Sequence, residues 1–371
     1  MSLWEFYMPT DVFFGEKILE KRGNIIDLLG KRALVVTGKS SSKKNGSLDD
    51  LKKLLDETEI SYEIFDEVEE NPSFDNVMKA VERYRNDSFD FVVGLGGGSP
   101  MDFAKAVAVL LKEKDLSVED LYDREKVKHW LPVVEIPTTA GTGSEVTPYS
   151  ILTDPEGNKR GCTLMFPVYA FLDPRYTYSM SDELTLSTGV DALSHAVEGY
   201  LSRKSTPPSD ALAIEAMKII HRNLPKAIEG NREARKKMFV ASCLAGMVIA
   251  QTGTTLAHAL GYPLTTEKGI KHGKATGMVL PFVMEVMKEE IPEKVDTVNH
   301  IFGGSLLKFL KELGLYEKVA VSSEELEKWV EKGSRAKHLK NTPGTFTPEK
   351  IRNIYREALG VEGGSHHHHH H

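Results

Sequence analysis

The chain has 371 residues, a formal net charge of −7, and 40% hydrophobic and 27% charged residues, which is typical of a globular protein. The negative charge argues against a nucleic-acid partner, and no apolar run approaches the roughly 20 residues of a membrane-spanning helix. Two cysteines cannot form a disulfide framework, so we expect a protein of the reducing cytoplasm. Residues 362–371 are predicted to be a linker and hexahistidine tag, and residues 1–3 a cloning remnant.

The first half of the chain alternates short β-rich runs with helical stretches. This alternation predicts a parallel sheet with helices on both faces. Strands are predicted at 33–37, 62–65, 89–95 and 133–136. Helices are predicted near 16–30 and at 47–55, 74–85 and 101–111.

Beyond residue 178 the apolar spacing is helical throughout, and no strand is predicted. The expected helices cover 181–203, 208–223, 232–251, 256–260, 276–290, 300–313, 323–333 and 348–358. We therefore predict two domains. An N-terminal α/β domain spans 1–178, and an all-helical C-terminal domain spans 179–361.

A glycine-rich segment, GLGGGSP at 94–100, follows the third predicted strand and opens a helix. Glycines let a backbone approach a pyrophosphate, and a helix N-terminus offers free N–H groups to it. The spacing differs from the usual dinucleotide fingerprint, so the alternative is a tight turn that binds nothing. We favour phosphate binding, because three consecutive glycines exceed what helix packing requires.

A second small-residue segment, TTAGTGSE at 138–145, follows the fourth predicted strand. Its hydroxyls suit ribose or phosphate oxygens, although it could also be a solvated loop. Strands of one parallel sheet end at the same edge, where α/β proteins bind their ligands. The two segments are therefore expected to converge into one dinucleotide-binding site.

The end of the first predicted strand bears on the choice between NADP and NAD. Sheets that bind NAD usually place a carboxylate here for the adenosine 2′-hydroxyl, but this chain has Gly38. Ser40 and Lys43 follow and could receive a 2′-phosphate. We expect NADP rather than NAD, with a plain solvated turn as the alternative.

The helical half contains candidate metal ligands. Asp191 and His195 are four residues apart on one helical face, which also suits an ordinary hydrogen-bonded pair. His258 lies in an apolar helix, and His272 in a glycine-flanked loop before a helix; each alone would be unremarkable. One carboxylate and three imidazoles suit Fe(II), Zn(II), Co(II) or Ni(II), and an open coordination position would accept a substrate oxygen.

Taken together, these segments resemble the iron-containing (group III) alcohol dehydrogenase family. The matching motifs are Met8-Pro9-Thr10 with Phe14-Gly15, the segments 96–105, 137–145 and 189–196, His258, and His272-Gly273. They follow one another in the family's order over nearly the whole chain. The resemblance implies a dinucleotide-binding α/β domain, an all-helical domain as in dehydroquinate synthase, and an active site in the cleft.

The resemblance also assigns residues. It makes Asp191, His195, His258 and His272 the metal ligands, with iron expected and zinc possible. It places Gly97, Gly98, Ser99, Asp102, Thr138, Thr139 and Thr147 at the cofactor, to which the second loop's own pattern adds Thr142. Asn71 matches a position near the adenosine, and Lys159 matches a ribose-contacting lysine across an alignment gap.

One position departs from the family. Several relatives have a second histidine four residues after the His258 position, thought to relay protons, where this chain has Tyr262. Tyr149, Ile249 and Tyr262 are our candidates for the wall of the substrate pocket.

The expected function is reversible hydride transfer between a primary alcohol/aldehyde pair and NADP(H), in a homodimer. The alternatives are a lyase of the dehydroquinate synthase type and a non-catalytic nucleotide-binding protein.

Overall fold

The computed structural model describes residues 3–361. The tag and linker predicted at 362–371, and the first two residues of the predicted cloning remnant, lie outside this range. The described residues divide into two compact units, one covering 8–180 and the other 3–7 with 181–361. Residues 3–7 were predicted to belong to the N-terminal domain, but they group with the helical unit. The Tyr7 backbone explains their place, because its N–H donates to Gln251 Oε1 (2.9 Å) and its carbonyl accepts from Gln251 Nε2 (2.6 Å).

The first unit is built around a six-stranded sheet in the order β1-β8-β5-β4-β2-β3, with every neighbouring pair parallel. A separate antiparallel pair is formed by β6 and β7. The strands are β1 (Asp11–Phe14), β2 (Arg32–Thr37), β3 (Ser61–Phe65), β4 (Phe91–Gly96), β5 (Val133–Pro137), β6 (Tyr149–Thr153), β7 (Lys159–Thr163) and β8 (Tyr169–Leu172). The helices are α1 (Ile18–Arg22), α2 (Ser41–Lys44), α3 (Ser47–Glu57), α4 (Phe74–Tyr84) and α5 (Gly98–Lys112).

Helices cover both faces of this sheet, which confirms the predicted parallel α/β architecture. Successive side chains of β2 point to opposite faces. Leu34 and Val36 lie in the same buried cluster as Phe103 of α5, whereas Val35 lies in the cluster that contains Leu51 of α3. Because neither face of β2 meets solvent, its sequence is continuously apolar rather than alternating.

Three features of the first unit differ from the sequence prediction. The strands β1, β6, β7 and β8 were not predicted, because they are short and β6 and β7 carry polar, half-buried residues. The helix expected near 16–30 is α-helical only over Ile18–Arg22 and continues as a 3-10 helix over Gly23–Leu29. The first glycine-rich segment is mostly regular structure, since β4 ends at Gly96 and α5 begins at Gly98.

The second unit is helical, and no strand occurs within 181–361. The predicted helix at 300–313 is wrong, because Gly303 and Gly304 both adopt positive φ and separate two helices there. No single described helix is long and apolar enough to cross a membrane, although the helices Arg232–Thr252 and Leu256–Lys268, bent by 115°, pass that test as a pair. The helices are α6 (Asp182–Leu201), α7 (Pro207–Ile228), α8 (Arg232–Thr252), α9 (Leu256–Lys268), α10 (His272–Met287), α11 (Pro292–Ile301), α12 (Leu306–Glu312), α13 (Ser323–Ser334) and α14 (Pro348–Gly360).

A carboxyl group is buried inside the first unit. Glu135 of β5 is fully buried, and neither of its oxygens has a hydrogen-bond partner among residues 3–361. Its Oε1 lies 2.0 Å from where a Cβ on Gly94 would be, so any side chain at position 94 would collide with it. Packing inside the unit is therefore sufficient to require glycine at position 94. Burial raises the pKa of Glu135 well above its usual value, although Lys105 opposes the shift.

Replacing Glu135 with Gln should change how stability depends on pH. Below the usual glutamate pKa, the carboxyl is protonated both folded and unfolded. As pH rises, only the unfolded chain ionises, and folding loses up to about 1.4 kcal/mol per pH unit until the raised folded-state pKa is reached. Glu135→Gln should escape this loss, so its urea-unfolding midpoint should exceed that of the wild type at pH 8 more than at pH 5. Equal pH dependence of Glu135→Gln and the exposed control Glu125→Gln would contradict this.

Candidate functional site

Helix α6 places three polar side chains on one face. Ser181 caps the helix by accepting a hydrogen bond from the Leu184 N–H. Asp191, His195 and Glu198 follow at positions i, i+4 and i+7, which recur on the same side of an α-helix. All three are buried, in a helix that is otherwise largely buried among apolar neighbours.

Three imidazoles surround the Asp191 carboxylate. Its Oδ1 lies 3.3 Å from His272 Nε2, 3.4 Å from His195 Nε2 and 3.9 Å from His258 Nε2. Ligands held about 2.1 Å from a tetrahedral ion are themselves about 3.4 Å apart. One ligand atom from each of Asp191, His195 and His258 lies within 4.8 Å of the other two. Asp191, His195 and His258 are therefore brought together at a separation that fits one divalent ion, and His272 Nε2 lies beside the same carboxylate oxygen.

Electrostatics favours the same interpretation. Burial by itself would raise the pKa of Asp191. The combined opposing effect of the histidines, led by His195 and His272, is larger, so the pKa of this carboxyl lies below its usual range. Burial lowers the pKa of His195 despite the opposing effect of Asp191. A carboxylate together with imidazoles is a donor set that suits a borderline divalent ion. Within residues 3–361, the buried Asp191 Oδ1 and His195 Nδ1 have no hydrogen-bond partner.

Glu198 orients His258 and was not predicted from the sequence. Its Oε2 accepts from His258 Nδ1 at 2.6 Å, and its Oε1 accepts from the backbone N–H (3.0 Å) and hydroxyl (2.6 Å) of Thr255. Because Nδ1 is engaged by the carboxylate, His258 turns Nε2 towards Asp191. The seven-residue spacing from Asp191 is the signal that would have identified Glu198.

Close helix packing brings His272 to the site. His272 is the first residue of α10, not part of a preceding loop as predicted. A Cβ on Gly273 would lie 1.9 Å from the Ser187 carbonyl oxygen and 2.9 Å from Asp191 Cβ. Only glycine allows α10 to approach α6 this closely, which explains the His-Gly pair.

Two further aromatic side chains adjoin the histidines. The Tyr262 ring centroid lies 6.3 Å from that of His272 and 6.0 Å from that of His338. Burial, followed by the nearby His258, lowers the pKa of His338 to about 4. His338 lies in a short 3-10 helix, and no periodic pattern in the sequence marked it. The predicted pocket residue Ile249 is buried on α8.

In the first unit the two predicted loops meet, as expected. The Thr138 N–H donates to the Gly96 carbonyl at 2.8 Å. A Cβ on Gly97 would lie 3.4 Å from Thr139 Oγ1, and a Cβ on Gly98 only 2.6 Å from a methyl group of Thr142. The second loop thus lies directly against the N-terminus of α5, where free N–H groups can receive a phosphate.

The other predicted cofactor residues occupy different places around these loops. The Asn71 N–H donates to Ser99 Oγ at 3.2 Å, so Asn71 lies beside the first loop. Asp102 is less available than predicted, because Oδ1 accepts from Ser144 Oγ (2.6 Å) and Oδ2 from the Ile151 N–H (3.1 Å). Thr147 is buried, and Lys159 begins β7.

The predicted 2′-phosphate region follows β2. Gly38 and Ser40 precede α2, and Ser40 is exposed. Lys43 Nζ lies 2.9 Å from Asp66 Oδ2, an exposed ion pair that was not predicted. Tyr149, the remaining predicted pocket residue, lies on β6, and burial raises its pKa to about 12.

These arrangements define a class of protein, with a nucleotide-binding α/β unit and a metal-binding helical unit in one chain. Residues 9–174 match the family model for iron-containing alcohol dehydrogenase, and residues 185–359 match that for the C-terminal part of the Fe-containing alcohol dehydrogenase family. The chain therefore belongs to the iron-containing alcohol dehydrogenase family. This membership supports alcohol dehydrogenase activity with an NAD(P) cofactor and an iron-type metal, rather than the lyase or the non-catalytic alternative.

Individual relatives agree with this assignment. The long-chain-alcohol dehydrogenase 1 of Geobacillus thermodenitrificans is 34% identical, over 89% of this chain and 84% of its own. The NADPH-dependent butanol dehydrogenase of Clostridium saccharobutylicum is 30% identical, over 87% of each chain. The structure of the iron-containing alcohol dehydrogenase of Thermococcus thioreducens superposes with a TM-score of 0.88 at 26% identity, covering 96% of this chain and 100% of the other.

Replacing Glu198 with Gln should weaken metal binding. An amide holds the His258 ring less firmly and makes it less basic, and such outer partners typically contribute 10–100-fold to metal affinity. We expect about that increase in the dissociation constant for Co(II), measured by its visible absorption, with little change in helix content. The exposed control Glu183→Gln on the same helix should bind Co(II) like the wild type. If Glu198→Gln and Glu183→Gln bind Co(II) with equal affinity, Glu198 has no role in metal binding.

Proposed function

We propose that this chain is an NADP(H)-dependent dehydrogenase of primary alcohols, working reversibly through one divalent ion held by Asp191, His195, His258 and His272. The observation that carries this proposal is the Asp191 carboxylate surrounded by three imidazoles. When bound, the ion supplies a Lewis acid for the substrate oxygen, and the nicotinamide supplies the hydride acceptor or donor.

The side chains around that centre divide the remaining work. Glu198 keeps the His258 ring in the orientation that turns Nε2 towards Asp191. The Tyr262 ring lies beside His272, but a tyrosine side chain, whose ordinary pKa is about 10, is a poor proton relay near neutral pH. We therefore assign Tyr262, with Ile249, to shaping the substrate pocket. Proton transfer then depends on water and the cofactor's ribose hydroxyls.

The preference for NADP is supported by the residues after β2. Gly38 leaves no carboxylate to repel a 2′-phosphate, and Ser40 and Lys43 offer hydrogen-bond donors nearby. The Asp66 carboxylate partly offsets the positive charge of Lys43. The preference for NADP therefore depends on the absence of a carboxylate at position 38 and on the net charge of the Lys43–Asp66 pair. The similar butanol dehydrogenase is described as NADPH-dependent. Iron as the metal, a homodimer and a cytoplasmic location are part of the same proposal.

Replacing His258 with Ala should abolish both activity and specific metal binding. It removes one imidazole and leaves Glu198 Oε2 buried without the His258 partner, although Oε1 still accepts from Thr255. NADPH affinity should stay within about threefold of the wild type, because the cofactor loops belong to the other unit. Metal content, turnover and NADPH fluorescence titration, all on protein freed of residues 362–371, test this. Full turnover by His258→Ala, alongside the exposed control His300→Ala, would refute the metal assignment.

Replacing Gly38 with Asp should shift the preference from NADP towards NAD. The added carboxylate repels a 2′-phosphate and accepts from a 2′-hydroxyl, so we expect the ratio of NADPH to NADH affinity to fall at least about tenfold. Gly38→Ala is the matched control, because its Cβ would meet only the Val68 carbonyl oxygen, at 3.8 Å. If the affinity ratio of Gly38→Asp equals that of Gly38→Ala, the cofactor assignment fails.

A further inference from the structure

A fully buried ammonium group lies behind the two cofactor loops. Lys105 is 0% exposed on α5, about two turns after the glycines that begin the helix. Its Nζ donates to the Ser144 carbonyl (2.7 Å), Ser144 Oγ (2.8 Å) and the Tyr149 carbonyl (2.9 Å), with Thr147 Oγ1 at 3.4 Å. Every one of these acceptors lies in the segment 144–149.

That segment connects the second cofactor loop to β6. Asp102, one turn before Lys105, binds the same stretch of chain through Ser144 Oγ and the Ile151 N–H. Helix α5 therefore contacts the second loop twice. Gly97 and Gly98 at its start lie close to Thr139 and Thr142, and the half-buried Asp102 and fully buried Lys105 hold the segment that follows.

The chemistry of the ammonium group suits this connection. Burying a cation is costly, and an apolar side chain would fill the same space more cheaply. Burial lowers the pKa of Lys105, while the Asp102, Glu135 and Glu145 carboxyls oppose that shift. An ammonium group can donate several directed hydrogen bonds to the loop segment 144–149, and a methionine side chain cannot.

We propose that Lys105 is a positioning residue of the cofactor site, which fixes the second loop against the helix that begins at the first. It touches no reacting atom. Its ammonium holds Ser144 and Thr147 in place, so the small residues that precede them present a pre-formed surface to the cofactor. Without Lys105 the loop would become ordered only when the cofactor binds. The free-energy cost of that ordering would weaken cofactor binding. The inference rests on the proposed NADP(H) function.

Lys105→Met tests the proposal, because methionine has a similar length but cannot donate. We expect the dissociation constant and the KM for NADPH to rise at least about tenfold, with kcat at saturating NADPH within about threefold. Co(II) affinity should not change, because the metal ligands lie in the helical unit. Unchanged NADPH affinity in Lys105→Met would overturn the proposal.

A matched control separates positioning from general loss of stability. Leu51→Ala empties a fully buried position on α3, in the cluster on the other face of the sheet, and should lower the unfolding temperature comparably. If Leu51→Ala raises the KM for NADPH as much as Lys105→Met does, Lys105 has no specific role. Rescue by Lys105→Arg, with NADPH affinity nearer the wild type than that of Lys105→Met, would support the need for a cation.

The single variant Ser144→Ala gives an independent measurement, which stands even if Lys105→Met does not fold. Ser144→Ala removes one acceptor and should weaken NADPH binding several-fold, and its effect should largely disappear in the double variant with Lys105→Met. Unchanged NADPH affinity in Ser144→Ala would argue against the proposal. The wild-type titration keeps the two hypotheses distinct. If the wild type binds neither NADPH nor NADH, the proposed function fails; if it binds normally but the variants do too, only the role of Lys105 fails.

Discussion

The carboxylate of Asp191, buried among three imidazoles, is the constraint on which the helical unit depends. An ionised carboxyl group inside an apolar bundle is costly unless charge or hydrogen bonds compensate for it. Here three helices supply the neighbouring imidazoles. His195 lies on α6, His258 on α9 and His272 on α10. A divalent ion fits this group because it needs the same electron-donating atoms at the same separations.

Backbone packing and side-chain chemistry are inseparable at this centre. Gly273 lets α10 approach α6, and Glu198 keeps His258 turned towards Asp191. Neither residue would bind metal. The first sets how close the helices come, and the second sets which nitrogen is presented, so the ligand geometry depends on both as much as on the ligands.

Much of this was predictable from sequence, for identifiable reasons. The central strands were predicted correctly because burial on both faces leaves long apolar runs. The cluster of Asp191, His195 and His258 was anticipated because spacing and family resemblance agreed. The hairpin β6–β7 was missed because its residues are half-buried and polar. The break at Gly303 and Gly304 was missed because apolar spacing continues across it. His338 and Asp66 gave no local signal, since tertiary structure alone brings them beside Tyr262 and Lys43.

The pair formed by Gly94 and Glu135 has a consequence for how this sequence can vary. The two residues are neighbours across β4 and β5, and the side chain of one occupies the space that a side chain of the other would need. A methyl group at 94 collides with the Glu135 carboxyl unless the residue at 135 is shortened, and α5 would still have to give slightly, because Ala104 Cβ would lie 3.0 Å away. Shortening 135 alone leaves a void. Each single change is therefore costly, and the two positions are expected to vary together.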